Sequence, residues 1–265
     1  MTPVDQMSQR NQLMKAEWIK LRSLRSSKWT MLALVVVTVG LGALFSALTA
    51  HHWSHMSAQD RREWDPTNNS LAGAAFGQLA VAVFGVLAIT GEFASGTIRS
   101  SVAAAPRRTP LLVAKAVVYG GVALVVGELI SFASYFIGMA LFSGHTPVSH
   151  LGDPGVVRAI MLTGAYEAIV CLMALGIGIA LRHTAGAISS LVAILLVLPG
   201  VIAALPTSAQ NALERFMPEQ IAGSSTGAVV PEAHYFGPWT GFGVLCLYAA
   251  IAMGIGIWTF ARRDV

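Results

Sequence analysis

Six apolar runs, at about 29–50, 71–91, 111–142, 156–181, 185–205 and 239–260, alternate with short polar segments along the chain. Each supplies the ~20 residues that an α-helix needs to cross a bilayer. The third is long enough to tilt or to begin as an interfacial segment. The pattern predicts an all-α polytopic membrane protein with six transmembrane helices. Residues 1–28 read differently. Leu13, Met14, Trp18, Leu21 and Leu24 fall on one arc of a helical wheel, Glu17 intrudes on it, and Lys15, Lys20 and Arg22 lie outside it. That pattern predicts an amphipathic helix lying on the membrane surface. Between runs 2 and 3, Ile98, Val102 and Ala105 recur at i, i+4, i+7, predicting a short helix over about 97–105 that Pro106 stops. Between runs 5 and 6, residues 206–238 form the longest connection, broken by Pro206, Pro218, Pro231 and Pro238. Ala209–Met217 reads there as one short helix, and the apolar tone of 220–230 predicts a segment that dips into the membrane or caps a cavity.

Composition strengthens this picture. The chain is 55% hydrophobic and 11% charged, against about 25% charged residues in ordinary soluble domains, and its mean hydropathy is +0.65. The placement of Lys and Arg sets the expected orientation. Thirteen of the 17 lie in the amino-terminal segment, the 91–115 loop, at Arg182 and at Arg262-Arg263. The positive-inside rule therefore puts both termini and that loop in the cytoplasm of a multi-pass cell-membrane protein.

The sequence carries no G-x-x-x-x-G-K-[ST], H-E-x-x-H or G-x-S-x-G, so neither an ATP-binding loop nor a familiar hydrolytic site is expected. No catalytic residue is assigned. Cys171 and Cys246 sit inside apolar runs and read as inert core thiols. His51 and His55 have the i, i+4 spacing that chelates a metal on a helix. Without a third ligand beside them, they read as interfacial histidines next to Trp53, and no metal is expected. Gly73 and Gly77 form a GxxxG in run 2 that suits close helix packing, within a bundle or across a dimer.

Two carboxylates lie inside apolar runs. Counted from about Val113, Glu128 is 15 residues into run 3, and Glu167 is 14 residues before Leu181 at the inner end of run 4, so at ~1.5 Å per residue they sit near one level. Two readings follow. They line a translocation path, sharing a proton or binding a cationic group, or each hydrogen-bonds a nearby Ser, Thr or Tyr and holds helices together.

Taken together, these segments resemble the permease subunits of the ABC-2 class of ATP-binding-cassette exporters. The basic amino-terminal helix with Glu17-Trp18-Ile19-Lys20-Leu21-Arg22, the six spans, and the stretch Gly91–Arg108 (GEFASGTIRSSVAAAPRR) are similar to the small actinobacterial-type multidrug and antibiotic exporter permeases, in which G-E-[FY]-x-x-G-T-[IL]-R and a following P-R-R recur. The long segment before run 6 and the Phe260-Ala261-Arg262-Arg263-Asp264 end extend the likeness over nearly the whole chain. The resemblance implies residues 1–28 as a bracing amphipathic helix and 29–265 as the permease domain, with a coupling loop at 91–110 and an outer gate at 206–238. It implies a transport subunit, not an enzyme. Two permease subunits, identical or different, would pair with separate ATPase subunits that hold ATP and magnesium, and this chain would bind no cofactor of its own. Its other partner is membrane lipid, and no nucleic acid is expected. Glu92 would close run 2, Gly96 and Thr97 would start the coupling helix, and Ile98 with Arg99 would face the ATPase. A different class remains: a stand-alone six-span ion-coupled carrier using Glu128 and Glu167, or an immunity or ligand-binding membrane protein.

Overall fold

The computed structural model describes residues 3–104, 108–228 and 236–263, and among these the regular structure is helical with no strand. In chain order the helices are α1 (Pro3–Ser23), α2 (Arg25–His52), α3 (Ala58–Arg62), α4 (Pro66–Leu71), α5 (Ala74–Ala94), α6 (Thr97–Ala104), α7 (Arg108–Phe142), α8 (Val156–Leu181), α9 (Thr184–Val192), α10 (Leu198–Ala203), α11 (Thr207–Glu214), α12 (Pro218–Thr226) and α13 (Pro238–Arg262). Six stretches of the described residues are long and apolar enough to span a bilayer: Arg25–His55, Pro66–Ala94, Thr109–Phe142, Val156–Leu181, Thr184–Ala203 and Pro238–Arg262. Their outward faces carry Trp29, Leu32, Val36, Leu129, Ile251 and Trp258 largely exposed. Surface of that kind is stable only against hydrocarbon, and the chain is a membrane-embedded helical protein.

The fifth span widens locally in a way its sequence explains. A π-helical turn, Ala193–Val197, joins α9 to α10 just before Pro199. Proline has no N–H and its ring crowds the preceding turn, and widening that turn relieves both problems without ending the span.

Helix α8 is the axis of the bundle. It packs against α5, α7 and α13. Two thirds of its apolar window (67%) is buried, against 22% for α2, the fifth span and α13, which assigns those three to the periphery. Glycine makes the close crossings. A Cβ on Gly85 would strike the Cys171 carbonyl, one on Gly127 the Gly164 carbonyl, and one on Gly256 the Gly176 carbonyl. The GxxxG of the second span is used inside the chain. A Cβ on Gly73 would meet the backbone of Thr38 and Gly42, and one on Gly77 the Thr38 side chain. The motif therefore closes α5 onto α2 and is not left free for a second copy.

Some expectations change. Helix α2 ends at His52, and a 3-10 turn follows at Trp53–His55. His51 and His55 thus do not sit on one regular turn of α-helix. The change of geometry seats Trp53 edge-on to Trp64, which in turn meets Phe142. Among the described residues no group of three His, Cys, Asp or Glu side chains is placed to hold a metal. Cys171 is buried but Cys246 is exposed on the lipid-facing side of α13, so only one thiol belongs to the core. The predicted helix 209–217 is instead Thr207–Glu214, because Pro218 suits the first position of a new helix and opens α12.

The ends of the bundle differ. α1, α6, Lys115, Arg182 and Arg262 gather at one, here called the basic end. Arg182 there lies over the rings of Phe93 and Phe260, at 5.3 and 5.7 Å, joining the ends of α5, α8 and α13. At the far end α12 is drawn into the bundle. Ile221 is buried. Arg158 donates to the carbonyls of Gly227 and Ala228 at 2.8 and 3.3 Å, and Asp65 accepts from the Ala228 amide at 2.8 Å.

Candidate functional site

Three chain segments converge at the basic end. The carboxyl end of α5 brings Glu92, and α7 brings Lys115 near its start. Helix α1 brings Glu17 and Lys20, three residues apart and so on one face. Each Lys20 hydrogen has an acceptor: Glu17 Oε1 at 2.9 Å, Glu92 Oε1 at 3.0 Å and Ser101 Oγ of α6 at 3.1 Å. Lys115 donates to Glu17 Oε2 and, at 2.8 Å, to Glu92 Oε1, with the Tyr119 ring beneath its ammonium at 5.3 Å. Two cations and two anions balance. Lys115 and Glu17 are almost wholly buried, at 0% and 1% exposure, while Lys20 and Glu92 form the rim. Burial alone would lower the Lys20 pKa, but the hydrogen bond and charge of Glu17, and then those of Glu92, outweigh it and hold the ammonium above its ordinary range.

This arrangement explains the residue that spoils the amphipathic pattern. Glu17 lies at the centre of the buried face of α1, beside Leu21, while Trp18 and Ile19 point away from the bundle. The buried face of α1 is thus organised around an ion pair. A charge there is stable because Lys115, 98 residues away, and Lys20 of the same helix both meet it.

Helix α6 hangs from the same cluster. The α5–α6 joint turns at Gly96, whose φ of 71° lies in the left-handed region that glycine adopts without strain. Ser95 turns back to donate to the Gly91 carbonyl at 2.8 Å and shares a hydrogen bond with Thr97 Oγ1 at 2.9 Å. The amphipathic reading of α6 is correct in period but reversed in direction. Ile98 is buried in the protein's own core with Val102 packed against it. Glu92 is likewise turned inward to the lysines. Gly96, Thr97, Arg99 and Ser100 form the exposed face. Ala105, Pro106 and Arg107 lie outside the described residues, as does the side chain of Arg108. A cleft of about 440 Å³ opens between the α1–α2 junction and the α5–α6 joint, with Lys20, Leu24, Glu92 and Thr97 among its walls.

Ile98→Asp would place an unpaired carboxylate in that core, at a cost of several kcal/mol. The expected result is poor yield and a lowered unfolding temperature in detergent, whereas Arg99→Glu, on the exposed face, unfolds as the wild type does.

The two intramembrane carboxylates sit deeper. α7 and α8 cross at Gly127 and Gly164, and a Cβ on Gly164 would strike the Glu128 backbone. Glu128 is therefore level with Gly164, one helical turn from Glu167 on α8. No hydrogen bond joins the carboxyls. Both oxygens of Glu167 and Oε2 of Glu128 have no hydrogen-bond partner among the described residues, so the role of bonding a nearby Ser, Thr or Tyr is not found for Glu167. Nearer the far end, Asn68, Gln78, Thr163, Tyr166, Glu219 and Gln220 help to line a cavity of about 240 Å³, over which α12 lies. Tyr166 donates to Gln78 Oε1 at its wall.

Sequence reasoning missed Lys115 and undervalued Glu17. Lys115 reads as one more loop cation, and its only signal is its position five residues inside the helix that follows Pro110. No protein-family model matches this chain, and no curated protein matches its sequence.

Proposed function

We propose that this protein is the membrane-spanning permease subunit of an ABC exporter, forming the translocation pathway and driven by a separate ATPase that docks on the 91–108 loop. The observation that carries this reading is the mounting of α6. It is a two-turn helix at the basic end, tied through Ser101 to Lys20 and through its buried Ile98 to the core, with Arg99 and Ser100 left outward. A push on α6 would pass through the ion cluster into α1, α5 and α7 together. Such a mounting suits a part that transmits motion from a soluble partner to several spans. The excess of Lys and Arg at this end supports placing it, with both termini, in the cytoplasm. ATP and magnesium would reside on the partner, and a second permease subunit, identical or different, would complete the pathway. Glu128 and Glu167 would line it.

The second reading is a stand-alone six-span carrier or ligand-binding membrane protein. The unpartnered Glu167 favours it, since an ion-coupled carrier needs an intramembrane acid.

Co-expression of the chain with its neighbouring reading frames, mild-detergent purification and mass identification separate the two. The expected result is a soluble ATPase in equal amount that is lost with Arg99→Glu while the bundle stays folded. A chain that purifies alone, or an ATPase retained by the variant, overturns docking at α6.

A further inference from the structure

The middle of the bundle holds several oxygen atoms that the fold leaves unused. Both carboxyl oxygens of Glu167, Glu128 Oε2, Thr38 Oγ1 and Ser134 Oγ are buried without a hydrogen-bond partner among the described residues. Glu167, Thr38 and Ser134 are 1%, 3% and 2% exposed. Serine and threonine inside helices usually donate to the carbonyl one turn back, as Ser46 and Thr163 do here at 2.8 Å, whereas Thr38 and Ser134 do not. Glu167, Thr38 and Glu128 belong to one seam. A Cβ on Gly77 would meet Thr38 Oγ1 from α2 on one side and Glu167 Oε1 from α8 on the other, the latter at 3.2 Å. A Cβ on Gly127 would lie 3.2 Å from Glu167 Cβ, and one on Gly164 would lie 2.7 Å from Glu128 Cδ.

Among the described residues no cation answers this acid. The four ion pairs among the described residues all lie in the basic-end cluster. Around Glu167, α2 offers the neutral Thr38 and α5 the neutral Gln78. α7 offers Glu128, which is acidic. α8 itself offers the neutral Tyr166 and, one turn on, Cys171. α12 offers Glu219, which lines the same cavity as Tyr166. α4 and α9 contain no charged residue, and in α13 the first is Arg262, its last residue. An ionised carboxylate here would meet only other acids, apolar surface and weak dipoles. At mid-span that is costly, and more so where no water or donor reaches it. A neutral carboxylic acid avoids that cost and matches the uncharged wall.

We propose that Glu167 is an intramembrane proton-binding site, occupied by its proton in this closed packing and emptied when the α2–α5–α8 seam loosens toward the far-end cavity. Tyr166 and Gln78, the chain neighbours of Glu167 and of its notch residue Gly77, line that cavity. The site therefore lies one layer below a polar vestibule. Losing the proton would put an unpaired charge in the seam and favour its opening. Opening would in turn favour release of the proton, since the two are linked. This goes beyond the exporter reading and does not depend on it, because it needs only the bundle.

The test is infrared spectroscopy of the full chain in lipid near neutral pH, wild type minus Glu167→Gln. The expected difference is loss of a carboxylic-acid C=O band at the high-frequency edge, where a neutral acid without a hydrogen bond absorbs. Dicyclohexylcarbodiimide, an apolar reagent that adds whole to protonated carboxyls, is expected to modify Glu167 in the wild type, less so as pH rises, and to leave Glu167→Gln unmodified at that position. Loss of carboxylate bands in place of the acid band would show an ionised Glu167 and overturn the proposal. Protection from the carbodiimide by sodium or potassium at fixed pH would overturn it in favour of a metal cation.

Discussion

Replacing Lys115 by Met is expected to destabilise the protein by about 3–5 kcal/mol, the usual consequence of removing one partner from a buried ion pair. Methionine keeps the apolar stem but removes the ammonium over the Tyr119 ring and leaves Glu17 and Glu92 sharing Lys20 alone. Lys20 sits at the rim, and its ammonium cannot replace the bond that Lys115 makes to Glu17 Oε2. The first structural consequence is loss of α1, which is held at its centre by that bond. Limited trypsin digestion in detergent reads this directly. Cleavage at Lys15, Lys20 and Arg22 accelerates in the variant while the spans stay protected. The double variant Lys115→Met with Glu17→Gln restores neutrality and is expected to recover part of the lost stability. A single variant as stable and as protease-resistant as the wild type would show that the cluster does not hold α1. In the exporter reading, the same variant weakens the link between α6 and the spans, so ATP hydrolysis by the partner would continue with reduced transport.

The second large effect concerns a single methyl group. Gly73→Ala places a Cβ against the backbone of α2, 2.7 Å from the Gly42 nitrogen and closer still to the Thr38 carbonyl. Backbone atoms cannot rotate aside, so the first two spans must separate. Overpacking of this kind costs about 1–3 kcal/mol and sometimes more. Gly40→Ala is the matched control. Gly40 lies on α2 with nothing within 4 Å of its added Cβ. Better helix propensity makes that variant neutral or more stable by up to about 1 kcal/mol. Unfolding of the two variants in the same detergent checks the pair. Equal effects would mean that α2 and α5 do not touch at this glycine.

Local pattern along the chain is enough to fix the class and the frame of this protein. The spans at 29–50, 111–142, 156–181 and 239–260 emerge within a few residues of α2, α7, α8 and α13 because hydrocarbon imposes one local requirement on every crossing helix: about 20 successive apolar residues. The short helix at Thr97 was legible for a related reason. Its i, i+4 period, the glycine before it and the proline after it all act within a dozen residues. Tertiary structure decided what local pattern does not encode. Which way Ile98 points depends on the core it meets, and an apolar ridge looks the same whether it faces a partner or its own bundle. Glu17 breaks the pattern of α1 until Lys115 is placed beside it, and 98 residues of chain separate them. Gly73 and Gly77 announce a close approach but not the surface approached, which proved to be Thr38 and Gly42. Counting residues along two helices brings Glu128 and Glu167 to one level, and the structure sets them one helical turn apart. That neither oxygen of Glu167 finds a hydrogen-bond partner among the described residues follows only from packing four helices around it, because hydrogen bonding between spans depends on rotation about each helix axis, which side-chain contacts fix and hydropathy leaves free.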